Sequence, residues 1–134
     1  MFKIALLATG ALAAGWDQRQ ADISFDLSLA SYCGHEQVLD YPFSGSVEGF
    51  VATKAIWNPE NELTGYLGYL PSDQSIWVVF RGTVGQKNWD IDFDSVKVDY
   101  ELWPECKGCK VHRGFNDAIN SVADLILTEV KDLK

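Results

Sequence analysis

Residues able to do chemistry cluster at four places in this 134-residue chain. The first is Phe80-Arg81-Gly82-Thr83, where the β-branched and aromatic block Ser75-Ile76-Trp77-Val78-Val79-Phe80 breaks into a turn. Such a block reads as a strand buried on both faces. A turn at its carboxyl edge offers backbone N–H groups and the Thr83 hydroxyl where open α/β sheets bind ligands. The plainer alternative is that Gly82 only makes the turn and Thr83 only caps the next segment.

The second place is Gly45-Ser46-Val47-Glu48-Gly49. Nucleophilic hydrolysis asks for Gly-x-Ser-x-Gly on a strand-to-helix turn, with a histidine and a carboxylate. Here the serine stands in the wrong position with no strand before it, and His35 and His112 read as structural histidines. The third is Asp90-x-Asp92-x-Asp94 with Glu101, which imitates a calcium-loop spacing. Ser95 occupies the position that needs glycine, and neither flank can be the helix such a loop requires, since the exit reaches Pro104. No metal is expected.

The fourth is Cys106-x-x-Cys109, and its chemistry depends on the compartment. Lys3, the apolar run Ile4-Ala5-Leu6-Leu7-Ala8 and the small residues of Ala11-Leu12-Ala13 read as a secretory signal over residues 1–13, cleaved after Ala13. The run is too short to anchor in a bilayer, so the rest of the chain, from residue 14 to 134, is expected to be secreted or lumenal. In an oxidising space Cys106 and Cys109 close a small loop and Cys33 is left over. A zinc site would add His112 and Cys33 or His35 to the pair, and a redox pair would need it at a helix start. Cys33 is either a free buried thiol or the partner of a cysteine elsewhere.

The elements that must position these groups are set by pattern. Ile23, Leu27, Ala30 and Cys33 recur at helical spacing, predicting a helix over Ala21–Cys33 stopped by Gly34. Glu36–Glu48 reads as a loop. Phe50–Trp57, Leu63–Leu70 and the strand opening at Ser75 are joined by short turns, which predicts an antiparallel start to a sheet. Trp89, Ile91 and Phe93 alternate with aspartates and fit either an exposed strand or a surface helix. A strand resumes over Val96–Tyr100, and Pro104–Cys109 is a tight loop. From Asn116, the residues Ile119, Val122, Ile126, Val130 and Leu133 predict one amphipathic helix to the last residue. A net charge of −8 argues against nucleic acid, whose phosphates need a basic patch.

Ala30-Ser31-Tyr32-Cys33, Val78-Val79-Phe80-Arg81-Gly82-Thr83, Asn88-Trp89, Cys106-x-x-Cys109 and Val111-His112-x-Gly114-Phe115, with Ala118 behind them, occur in an order and at spacings that resemble class 3, or fungal-type, triacylglycerol lipases. The resemblance runs from about Leu27 to Val130. It implies an α/β class with an incomplete α/β-hydrolase fold, the N-terminal part of the central sheet with flanking helices, and serine ester hydrolase chemistry on acyl lipids without a cofactor. By the same resemblance, Thr83 matches the oxyanion-hole residue. Val84–Asp94 matches the lid, with Trp89, Ile91 and Phe93 as its lipid-interface residues, although Trp89 also fits a core position. Cys106 and Cys109 match a family disulfide, and His112 a structural histidine.

The family's serine elbow, acid and catalytic histidine have no counterpart here, so the expectation is a partial lipase domain, inactive alone, that meets a lipid or ester substrate at a lipid–water interface. One alternative is a secreted, non-catalytic module that binds lipid or protein. Another is a small disulfide-stapled domain that reduction would unfold.

Overall fold

In the computed structural model, residues 15–85, 89–90, 96–100 and 105–134 are described. The expected signal, Asn88, Ile91, Phe93, the calcium-spaced Asp92 and Asp94, and Glu101 lie outside the described residues.

Helix α1 spans Gln18–Ala30, three residues earlier than its apolar spacing predicts. The Asp17 carboxylate accepts a hydrogen bond from the Gln20 N–H at 3.2 Å and starts the helix there. It ends before Gly34 because Ser31 folds its hydroxyl back onto the Ser28 carbonyl at 2.7 Å. Ile23, Leu27 and Ala30 form its buried face. The next segment, expected as loop, holds two short 3-10 turns, Gln37–Asp40 and Gly45–Val47, which bury Val38 and Val47.

Strands β1 (Val51–Asn58), β2 (Leu63–Leu70) and β3 (Ser75–Phe80) form an antiparallel sheet in that order. The register runs from Asn58↔Leu63 to Val51↔Tyr69 and from Leu70↔Ser75 to Gly65↔Phe80. The expectation that β3 is buried on both faces is corrected. The central strand is β2, whose Tyr66, Leu67 and Leu70 are fully buried, while Val78 and Phe80 of β3 are 37% and 36% exposed. Among the described residues β3 has a neighbouring strand on one side only.

A two-stranded ribbon pairs β4 (Lys97–Asp99) with β5 (Lys110–His112), a strand that pattern alone misses because it has only three residues. The single C-terminal helix expected from Asn116 is two helices, α2 (Arg113–Asn120) and α3 (Ala123–Asp132). They divide where the Ser121 hydroxyl donates to the Ala118 carbonyl at 2.7 Å and Val122 leaves helical geometry at φ −125°, ψ 1°. The apolar period continues across that corner, so it could not be seen in the spacing.

Side chains alternate across β2 and divide the core between its two faces. On one face Tyr66 and Leu70 pack with Ile23, Leu27 and Ala30 of α1, and with Val38, Val47, Phe50 and Val79. On the other, Leu67 packs with Ile56 and Val122, flanked by Leu125 and Ile126 of α3. Helices therefore cover both faces of an antiparallel sheet, and no described helix is long and apolar enough to cross a membrane.

Candidate functional site

The Arg81-Gly82-Thr83 turn leaves the carboxyl end of β3 just after the last ladder bond, in which the Arg81 N–H donates to the Thr64 carbonyl at 2.8 Å. Thr83 is half-buried and Val84 is 57% exposed. A methyl group on Gly82 would sit 2.6 Å from the Tyr32 hydroxyl, so the end of α1 and the end of β3 meet at this turn. Downstream, a side chain on Gly85 would overlap the Glu62 carboxylate, which reaches over from the β1–β2 turn. Glu62 holds a left-handed φ of 56°. Neither Tyr32 nor Glu62 receives a role from sequence spacing, because each lies far along the chain from the residue it touches. Tyr32 belongs to the Ala30-Ser31-Tyr32-Cys33 motif, which is the one signal that pointed near it.

Trp89 is 46% exposed, and its backbone N–H donates to the Gly85 carbonyl at 3.3 Å. Asp90 lines an open cleft of about 410 Å³ with Asn58, Asn61, Asp117 and Ser121. The Asn58 side-chain amide donates to the Ser121 hydroxyl at 2.9 Å, which ties the β1–β2 turn to the α2–α3 corner.

Cys106 and Cys109 are joined by a disulfide, with Cα atoms 5.5 Å apart, in the loop between β4 and β5. The bond removes both thiolates from any zinc site, and Cys33 is a free, half-buried thiol. His112 caps α2: its Nδ1 accepts from the Phe115 N–H at 3.4 Å and its ring lies 4.6 Å from that of Phe115. Its Nε2 is buried without a hydrogen-bond partner among the described residues, as is the Nε of Arg81. His35 stacks on Trp57 at 5.0 Å. Ser46 donates its hydroxyl to Asp26 at 2.6 Å and clamps the 3-10 turn to α1, so it is occupied structurally.

This geometry can be set beside that of known proteins. Residues 77–134 match the family model described as lipase (class 3). A curated lipase from Rhizomucor miehei is 38% identical over 61 residues, which are 46% of this chain and 16% of that protein. Among solved structures, a triacylglyceride lipase from Rhizomucor miehei superposes with a TM-score of 0.67 at 26% identity, over 87% of this chain and 45% of the other. A triacylglycerol lipase from Penicillium expansum gives 0.61 at 26% identity, over 85% and 42%. A fungal lipase–inhibitor complex gives 0.68 at 25% identity, over 85% and 44%. The chain thus spans less than half the length of the proteins it matches. In sequence over residues 77–134 and in fold over most of its length, the chain is similar to class 3, fungal-type lipases, and its sheet and helices form a partial α/β-hydrolase fold.

Proposed function

We propose that this chain is the N-terminal portion of a secreted class 3 lipase-like ester hydrolase acting on acyl lipids at a lipid–water interface. Residues 1–13 are its signal peptide and residues 14–134 its share of the catalytic domain. In this reading Thr83 donates its N–H and hydroxyl to the negative charge that develops on the ester carbonyl oxygen. A donor already fixed at a strand's end needs no reorganisation at that moment. Trp89, Ile91 and Phe93 belong to the lid that meets lipid, where an indole suits a boundary with one wet and one apolar side. The attacking serine, its histidine and the acid come from sequence beyond these 134 residues, so the chain alone does not turn over ester.

The observation that supports this best is the position of the Arg81–Thr83 turn at the carboxyl end of β3, beside Tyr32. The test compares hydrolysis of a chromogenic fatty-acyl ester by the 134 residues and by a form extended through the downstream coding sequence. Turnover is expected only in the extended form, with Thr83→Val lowering it roughly a hundredfold or more. Turnover by the 134 residues that survives Thr83→Val would overturn the assignment. A non-catalytic module that binds lipid or protein is the second reading, favoured by the exposure of Trp89. It predicts binding to emulsified lipid without hydrolysis in either form.

A further inference from the structure

We propose that Cys106 and Cys109 form a reversible dithiol–disulfide site for glutathione-class thiols, whose reduction loosens the β4–β5 ribbon while the three-stranded sheet stays folded. The bridge spans Lys107-Gly108, a sequence separation of 3. Cys106 is exposed and Cys109 half-buried, so thiols in solvent reach the Cys106 end. Exposed disulfides are the ones small thiols reduce, whereas disulfides enclosed in a core resist. Lys107 and Lys110 flank Cys109, and positive charge beside a departing thiolate stabilises it. No described helix begins at the pair, since α2 starts at Arg113, so these lysines supply the charge that a helix start gives in other redox pairs. The turn is also held by its backbone. Gly108 takes a left-handed φ of 73°, and the Cys109 N–H donates to the Cys106 carbonyl at 3.2 Å. Both features keep the thiols close after reduction, so the bond can form again.

The exchange consumes two glutathione thiols and moves two electrons. The first glutathione thiolate attacks Sγ of Cys106, the bond between the two cysteines breaks, and Cys109 leaves as the thiolate. A second glutathione thiolate attacks the glutathione sulfur of the mixed disulfide, which releases the Cys106 thiolate and glutathione disulfide. The two cysteine thiolates take up the two protons that the glutathione thiols gave up. In an oxidising space the reverse sequence restores the bridge. Little else holds the ribbon. Among the described residues β4 and β5 pair at Lys97↔His112, Val98↔Val111 and Asp99↔Lys110, and beyond them the Tyr100 N–H donates to the carbonyl of Cys109 itself at 2.9 Å. The Lys110–Asp99 ion pair at 2.6 Å is exposed, and neither core cluster contains a ribbon residue.

The proposal does not depend on the lipase reading, and its test measures no hydrolysis. The folded 134-residue chain is equilibrated in graded ratios of reduced to oxidised glutathione, quenched with acid, alkylated and mapped by mass spectrometry. Half-conversion of the pair should fall within the series, at the same ratio from either direction, with far-ultraviolet circular dichroism of the sheet retained. Lys107→Gln removes a charge from an exposed residue outside the ladder and should slow reduction severalfold. In the reduced chain, hydrogen exchange at the Val98, Tyr100 and Val111 amides should quicken roughly tenfold or more, while that of Tyr66 and Leu67 stays as it was. A pair that remains oxidised across the series, or is reduced only once the sheet unfolds, overturns the proposal. So does a Lys107→Gln chain reduced at the native rate, and so do ribbon amides that exchange equally in both redox forms. Should Lys107→Gln fail to fold, the titration and exchange of the unaltered chain decide.

Discussion

The Tyr32 hydroxyl stands 2.6 Å from the point where a Cβ on Gly82 would project. Tyr32 is 59% exposed and can swing away, whereas Gly68 in β2 faces the Val51 carbonyl and the Phe50 ring, which cannot. Gly82→Ala should therefore change thermal stability little while displacing the phenol, read as a shift of the Tyr32 ring resonances in NMR. Gly68→Ala, forced against backbone, should cost about 1–3 kcal/mol or more in denaturant unfolding. Equal losses from the two would show that Tyr32 is as immovable as the sheet.

Tyr66 is fully buried and donates its hydroxyl to the Leu27 carbonyl in the last turn of α1 at 2.7 Å. Tyr66→Phe leaves that carbonyl without its phenol partner and should destabilise the fold by about 1–3 kcal/mol. Burial, with Cys33 and Tyr41 adding, pushes the phenol well above its ordinary value of 10.0. A raised folded value means that the folded chain keeps a proton the unfolded chain releases. Its stabilising contribution is whole below pH 10.0 and is lost as pH climbs from there toward the folded value. Alkaline unfolding midpoints should show this decline in the native chain and lose its Tyr66 component in Tyr66→Phe.

The Cys106–Cys109 bridge has a sequence separation of 3 and sits in the β4–β5 ribbon, away from both core clusters. So short a loop constrains the unfolded chain by only about 2 kcal/mol on the chain-entropy estimate. Dithiothreitol should loosen the ribbon yet leave the β1–β3 sheet folded by far-ultraviolet circular dichroism. Complete unfolding on reduction would instead mark a disulfide-stapled domain.

Val122, 6% exposed at the α2–α3 corner, packs with Ile56 and Leu67. Val122→Ala opens space beneath both helices and should cost about 1–3 kcal/mol. Leu127→Ala, on the exposed side of α3, should cost little because its side chain is 55% exposed. Chemical denaturation of both variants checks the pair.

Much of the fold was written locally. The Leu63–Leu70 limits of β2 and the Ser75 start of β3 are set by turn residues that punctuate apolar runs, and backbone preference is settled by near neighbours. The likeness of residues 77–134 to class 3 lipases and the Cys106–Cys109 spacing were equally visible in the chain itself. Other features required the fold. Periodicity reports which face of an element is apolar and not where its backbone turns, so it could not divide α2 from α3. The approaches of Tyr32 to Gly82 and of Glu62 to Gly85 join residues far apart in sequence, and no local preference encodes them. Only closure of the sheet under α1 brings the first pair together, and only the reach of the β1–β2 turn brings the second.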